Sequence, residues 1–224
     1  MPVAATSLPA LPLLRDLSTD AQARIAAQLE TVHFRRHTTL YYPGQDSEYL
    51  YFVVEGVIKI CTYSEDHREV IKFVHRAGAH FGEMGLVGEK QRTNFAMLLS
   101  RDVTLLRVPL ATFRQLMAEL PALQLAVLQS IGQRLREAEQ KFQDLIFKDA
   151  RQRIVGYIRS NADRYGRTVG YERTFKYYLT QQDIANFTGT SRQTVTSVLN
   201  DLKKENLIHF DRRRFLVRDM NRLA

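Results

Sequence analysis

Five polar side chains in the stretch 179–206, LTQQDIANFTGTSRQTVTSVLNDLKKEN, have the chemistry to read base-pair edges. They are Arg192, Gln193, Thr196, Ser197 and Asn200, and none is acidic. Arginine presents a planar pair of donors that matches guanine O6 and N7, and glutamine pairs with adenine N6 and N7. Val195, Val198, Leu199 and Leu202 recur at helical spacing and leave those five on the opposite face. A first helix precedes this one. Thr180 stands three residues before Asp183, a capping-box spacing, and Ile184, Ala185 and Phe187 can face inward. Gly189 supplies the turn, and Thr190 or Ser191 can cap the second helix. A helix with one buried face and one polar face, set after a tight turn, is what a helix-turn-helix requires. The same residues also describe an ordinary helical hairpin with a solvated polar face.

Other chemistry-bearing residues are sparse. His75, His80 and Glu83 lie close together in the sequence, as metal ligands in a cupin-type enzyme would. Their spacing does not follow the His-x-His-x3–4-Glu pattern, and no second histidine motif accompanies them. Cys61, the single cysteine, sits in an apolar run and reads as a small buried side chain. It excludes an internal disulfide framework and a cysteine-ligated iron–sulfur cluster within one chain. No Ser-His-Asp set, phosphate-binding Walker loop or paired catalytic carboxylates stand out, so no enzyme is expected.

These residues need a frame. From 31 to 109 the chain breaks into short β-rich runs (HFRRHTTLYYPG, YLYFVVEGVIKICTY, EVIKFV, TNFAMLLS, DVTLLRVP), punctuated by glycines at 44, 56, 78, 82, 85 and 88. Such spacing predicts a sandwich, jelly roll or barrel. Residues 8–30 read as helical before it, with Ser18, Thr19 or Asp20 as cap. After Pro109 the pattern is helical, with Pro121 separating a short helix from a long one. On the long helix Leu128, Ile131, Leu135, Ala138, Phe142 and Leu145 alternate spacings of three and four. That is a heptad seam flanked by charge, expected in a dimer coiled coil; a helix packed on its own β-domain is the alternative. Residues 149–161 read as continuing helix, with Ile154, Tyr157 and Ile158 inward, and 161–176 as a polar loop. The runs LIHF and FLVRD around DRRR read as a hairpin tipped by Arg212, Arg213 and Arg214, which turns the helix-turn-helix into a winged helix.

The chain has 224 residues, enough for one large or two ordinary domains, and no apolar run approaches a membrane span. The N-terminus lacks a basic leading segment and does not read as a signal peptide, so the cytoplasm is the expected compartment. Net charge is +8, and its placement is informative. Residues 150–224 hold 15 Lys and Arg against 7 Asp and Glu, whereas 1–149 hold 17 of each. All the surplus therefore sits with the helix-turn-helix candidate, as backbone binding to nucleic acid would have it.

In this order of parts, the chain resembles the cyclic-AMP receptor protein and fumarate–nitrate regulator superfamily of bacterial transcription regulators. The resemblance covers nearly the whole sequence and is carried by SRQTVTSVLNDL, by the PGQ turn at 43–45 and by FGEMGLVGEKQRTNFAML at 81–98. The last of these is similar to the family's phosphate-binding cassette. The resemblance implies that Gly82 and Glu83 open a short helix, that Arg92 and Thr93 hold a phosphate, and that Glu83 accepts from a ribose hydroxyl. It also places Arg134, on the long helix, near the ligand. A cyclic nucleotide is the effector class implied. Two features depart from the pattern. The spacing from Glu83 to Arg92 is one residue shorter than in the cyclic-AMP sensor. Ala138 and Glu139 stand where that sensor has a Thr-Ser pair for the adenine edge, which puts cyclic AMP itself in doubt. A cassette kept only as a structural loop, with Glu83 paired to Arg92, is the competing reading.

On the DNA side, the resemblance makes Arg192 the leading base reader. Gln193 stands where the cyclic-AMP receptor has a glutamate, and Ser197 where it has a second arginine, so the operator is expected to differ. Thr180 and Arg212 to Arg214 suit phosphates.

The sequence therefore predicts an α+β chain: an N-terminal cyclic-nucleotide-binding-type β-roll (a jelly roll) with a leading helix over 1–120, a dimerisation helix over 121–148, and a winged helix-turn-helix over 149–224. The expected function is a homodimeric, sequence-specific DNA-binding regulator gated by a nucleotide-like effector. Double-stranded DNA with a near-palindromic operator and RNA polymerase are the expected partners. The alternatives are a ligand-independent regulator of the same fold, a cupin-like metalloenzyme domain with a DNA-binding tail, and a nucleotide-binding protein that regulates a partner protein.

Overall fold

The computed structural model describes residues 11–36, 38–211 and 214–223. The chain divides into two compact units between Glu137 and Ala138.

The first unit is built on two antiparallel sheets. Strands β1 (Glu30–Arg35), β2 (Thr39–Tyr41), β3 (Tyr49–Glu55), β4 (Val57–Tyr63), β5 (Glu69–Arg76), β6 (His80–Phe81), β7 (Phe95–Leu98) and β8 (Asp102–Pro109) sort into the orders β1-β8-β3-β6 and β2-β7-β4-β5. Chain neighbours β3 and β4 lie in different sheets, so the turn at Gly56 passes the chain from one layer to the other. That glycine has φ of +105°, and an added Cβ would lie 2.7 Å from the Ser100 hydroxyl, so only glycine fits there. The inner faces of the two sheets close on each other through Tyr51, Val53, Ile58, Ile60, Phe81, Ala96, Leu98 and Leu105, all buried. This is the β-roll that the short β-rich runs between turn glycines predicted.

A second cluster covers the outer face of the first sheet. Helix α1 (Thr19–Ala26), helix α2 (Leu110–Glu119) and the start of helix α3 (Pro121–Phe147) bring Ile25, Phe113, Leu123 and Val127 against Leu50, Phe52, Leu106 and Val108. The helix expected over 8–30 is much shorter in the structure. Ser18 caps it, accepting from the Ala21 amide, and residues 11–17 form turns instead. Leu11, Leu13, Leu14 and Leu17 are buried there without being helical, because Gln22 ties down the carbonyls of Leu14, Arg15 and Leu17. Apolar periodicity is satisfied by a buried turn as well as by a helix when a side chain caps its carbonyls.

Leu123 and Val127 on α3 are buried and Ile131 is half-buried against the β-roll. Leu128, Leu135, Phe142 and Leu145 on the same helix are 66, 60, 65 and 54% exposed. Packing on its own domain therefore uses one stripe of α3 and leaves the other apolar stripe open.

The second unit holds the end of α3 and helices α4 (Ala150–Tyr165), α5 (Gln181–Thr188) and α6 (Arg192–Lys204) with a four-stranded sheet. The helix α4 does not continue α3. Asp149 starts it with a full capping box, its carboxylate accepting from the Gln152 amide at 2.8 Å while the Gln152 side chain accepts from the Asp149 amide at 3.0 Å. The polar loop expected over 161–176 is also corrected. Helix α4 runs to Tyr165, and the rest forms a hairpin of β9 (Arg167–Val169) and β10 (Glu172–Lys176) about Gly170. β10 pairs in turn with β12 (Arg214–Val217), which pairs with β11 (Ile208–Phe210). Its strand character rests on a partner some forty residues away, and local polarity hid it.

Candidate functional site

The first candidate surface is α5, α6 and the hairpin β11–β12. Thr180 begins α5 as predicted, with its hydroxyl 3.1 Å from the Asp183 amide and the Asp183 carboxylate accepting from the Thr180 amide at 2.9 Å. The Thr180 hydroxyl also donates to that carboxylate at 2.7 Å. Gly189 ends α5 at φ of +65°, and a Cβ there would lie 2.9 Å from Leu145 Cδ2. Ser191, rather than Thr190, caps α6, accepting from the Thr194 amide. Val195, Val198, Leu199 and Leu202 are buried as the spacing required.

Arg192, Gln193, Ser197 and Asn200 lie exposed on the opposite face of α6. Thr196 differs. It is half-buried, with its hydroxyl 2.7 Å from Gln181 Oε1 and 2.9 Å from the Arg192 carbonyl, so it ties α6 to the start of α5. Arg214 is exposed at the start of β12. Its backbone exchanges hydrogen bonds with Asp211 across the hairpin tip, at 2.9 and 3.0 Å. The Tyr177 hydroxyl donates to the Asp211 carbonyl at 2.6 Å, and Phe175, Phe210 and Phe215 stack beneath. Arg212 and Arg213 lie outside the described residues.

Sequence reasoning missed Arg153. From α4 its guanidinium donates to the carbonyls of Lys148 at 2.6 Å, Thr188 at 2.8 Å and Gly189 at 3.1 Å. Those carbonyls close the end of α5 and the break before α4, so a single side chain fixes the turn of the helix-turn-helix. An arginine one residue from the buried Ile154 on α4 was the only hint in the sequence.

The second candidate site is the loop after β6. Gly82 has φ of +88°, and a Cβ there would meet the Tyr49 carbonyl at 2.7 Å and the Arg92 guanidinium at 3.2 Å. The helix that follows is a five-residue 3-10 helix, Glu83–Val87. Arg92 is buried. It donates to the Tyr49 carbonyl at 2.6 Å and the Gly82 carbonyl at 3.2 Å, and its guanidinium lies 4.5 Å from the centre of the Tyr41 ring. Burial raises the pKa of the Tyr41 phenol, so that side chain stays neutral.

Glu83 is also buried, but its partner is Arg134, which in addition donates to the His80 carbonyl. The reading that paired Glu83 with Arg92 is therefore corrected, because Arg134 reaches Glu83 from α3, 51 residues along the chain. Thr93 is turned to Glu89. Its hydroxyl donates to Glu89 Oε1 at 2.7 Å and its amide donates to the same atom at 3.2 Å, while Glu89 Oε2 lies 3.9 Å from Arg92 Nη1. Glu89 stands four residues before Thr93 and three before Arg92, a spacing the sequence alone presents. His80 Nε2 lies 2.9 Å from the Ser130 hydroxyl, and burial together with Arg134 pushes the His80 pKa down to about 3. Of the three residues weighed as metal ligands, His80 is thus engaged by Ser130 and Glu83 by Arg134. Among the described residues no helix is long and apolar enough to cross a membrane.

Comparison with known proteins matches the two regions that hold these surfaces to two domain families. Residues 31–119 match the cyclic nucleotide-binding domain family, and residues 152–224 match the Crp-like helix-turn-helix domain family. The chain is 28% identical over 212 residues to a CRP-like cAMP-activated global transcriptional regulator of Mycobacterium tuberculosis, covering 95% of this chain and 94% of the relative. It is 28% identical over 185 residues to the global nitrogen regulator of Synechocystis, covering 82% of each. The solved structure of FixK2 from Bradyrhizobium japonicum shares the fold with a TM-score of 0.78 at 21% identity, over 87% of this chain and 95% of that one. An effector-type β-roll, a long helix and a winged helix-turn-helix, matched in order by sequence and by fold, mean that this chain belongs to the cyclic-AMP receptor protein and fumarate–nitrate regulator superfamily of transcription regulators.

Proposed function

We propose that the protein is a homodimer that binds a near-palindromic DNA operator through two copies of α6. The observation that carries this is the exposed, acid-free face of α6, with Arg192, Gln193, Ser197 and Asn200 side by side, in the part of the chain that holds all the surplus positive charge. Arg192 reads guanine and Gln193 adenine. Thr180, Arg212, Arg213 and Arg214 contact phosphates, and Thr196 positions the reading face. The open stripe of Leu128, Leu135, Phe142 and Leu145 on α3 supports dimerisation, since a protomer alone leaves those side chains in water. Residues 1–120 then serve as the effector-type domain, 121–148 as the dimer helix and 149–224 as the DNA-binding domain. The protein works in the cytoplasm, beside RNA polymerase. Two recognition helices in successive major grooves lie about 34 Å apart, which sets the half-site spacing.

Two versions share this machinery. In one, a nucleotide-like effector held by Gly82, Glu83, Arg92, Thr93 and Arg134 binds the DNA-competent arrangement better than the other and so shifts the population. In the second, the dimer is competent without a ligand. The engagement of Thr93 and Arg92 by Glu89 favours the second. Selection of DNA sequences by the dimeric protein, with and without a panel of cyclic nucleotides, tests the reading. A two-half-site operator containing a guanine lost as a preference in Arg192→Ala is the expected result. Recovery of no defined operator overturns it.

A further inference from the structure

We propose that Glu89 is a built-in counter-anion that occupies the phosphate seat of the cassette and makes the regulator independent of cyclic nucleotide. The inference rests on reading the cassette as an anion site. That reading has a geometric basis in this chain. Two donors and one cation converge on one carboxylate: the Thr93 hydroxyl donates at 2.7 Å, the Thr93 amide at 3.2 Å, and the Arg92 guanidinium lies at ion-pair distance, 3.9 Å. A hydroxyl, a backbone N–H and an arginine are the donor set that holds a phosphate oxygen pair. Here the two oxygens of Glu89 take those places, Oε1 at Thr93 and Oε2 toward Arg92.

The backbone holds Glu89 at that seat. Gly88 has φ of +110°, and the Glu89 amide donates to the Met84 carbonyl at 3.0 Å, closing the short 3-10 helix back on the loop. On the far side the loop is fastened to the turn at 43–45. The Arg92 amide donates to the Gln45 carbonyl at 2.7 Å, the Gly44 amide to the Arg92 carbonyl at 2.8 Å, and the Ser47 amide to the Lys90 carbonyl at 2.8 Å. With its neighbours pinned before and after, Glu89 is presented to Arg92 and Thr93 by the loop itself. Its side chain is 11% exposed and that of Arg92 3%, so water does little to loosen the pair.

The rest of the site is balanced in the same way. Glu83 is met by Arg134, so two acids and two arginines neutralise each other within the cassette. An incoming phosphate would have to displace Glu89 and then sit beside its charge, and like charges held close together oppose that. Exclusion of the phosphate is thus set by one carboxylate. Its removal frees the hydroxyl and amide of Thr93 and leaves the Arg92 charge, still held by the Tyr49 and Gly82 carbonyls, without an acid beside it.

Titration calorimetry with cyclic AMP, cyclic GMP and inorganic phosphate on the full chain decides the matter. Wild type is expected to be silent. Glu89→Ala is expected to gain binding, tightened by roughly tenfold or more, about 1.4 kcal/mol per tenfold. The double variant Glu89→Ala with Arg92→Ala is expected to lose that gain. Glu89→Gln, which keeps the shape and removes the charge, gives the same reading should the alanine variant fail to fold, and thermal melts establish which variants are folded. Wild type binding as tightly as Glu89→Ala overturns the proposal while leaving the cassette an anion site. A folded Glu89 variant that binds none of the three probes overturns both. Binding that survives loss of Arg92 overturns the assignment of the seat. Operator affinity of ligand-free wild type, measured in the same preparations, reports on DNA binding separately.

Discussion

Arg153 and His80 show how single side chains set the working geometry from behind. Arg153→Ala frees the carbonyls of Lys148, Thr188 and Gly189 at once, and we expect a loss of about 1–2 kcal/mol in urea unfolding of the second unit. Arg153→Lys restores little of it, because a point charge cannot reach three carbonyls as a planar fork does. His80 makes a pH prediction. Its pKa in the fold is about 3 against an ordinary 6.5, because of burial first and Arg134 second. As pH falls below 6.5 the unfolded chain takes up a proton that the folded chain refuses. Stability is therefore lost on acidification between those values, by up to about 1.4 kcal/mol per pH unit. Urea titrations at pH 7 and pH 5 should show that slope in wild type and a shallower one in His80→Gln; equal slopes would exclude His80 as its source. At the reading face, Arg192→Ala should cost about 1–3 kcal/mol of operator binding and relax preference at one base position, as seen by competition with substituted sites. Arg192 was legible because its helix buries its other face. The direct pairing of Glu83 with Arg134 was not, since only the packing of α3 on the β-roll brings the two side chains into contact.

Among the elements, α3 and the turn at Gly189 carry the clearest consequences. Charging the open stripe of α3 with Leu135→Glu and Phe142→Glu should give monomers in sedimentation experiments, with loss of tight binding to the two-half-site operator but no loss of the β-roll core, which those side chains do not enter. A variant that remains dimeric would show that the stripe is not the interface. Gly189→Ala forces a side chain into the left-handed region beside Leu145 and should cost about 1–2 kcal/mol, read by thermal or urea unfolding. The strands of the β-roll were readable because short runs rich in β-branched and aromatic residues stand between turn glycines. The hairpin β9–β10 was not, because its exposed Arg167, Thr168 and Val169 carry no alternation and its pairing depends on β12. The stretch before α1 misled for the opposite reason. Its leucines are buried, but Gln22 caps a turn where periodicity promised a helix.

For the molecule as a whole, a neutral first part and a basic second part make two separable predictions. Operator affinity should fall steeply as salt rises, and Arg214→Ala should lower the slope of log K against log salt by about 1 while leaving base preference unchanged. The charge partition was visible in the sequence without any structural knowledge, since it needs only counting. What no count could reveal was that α3 has two apolar stripes with different fates, one packed on the β-roll through Leu123 and Val127 and one left open. In the proposed dimer, that open stripe would tie the regulator's output to its copy number. When protomers are scarce relative to their dimer dissociation constant, the dimer follows the square of their concentration, so halving synthesis removes about three-quarters of the operator-competent species. Growth rate, dilution at division and gene dosage would then become inputs to the promoters such a dimer governs, acting through a row of leucines and a phenylalanine.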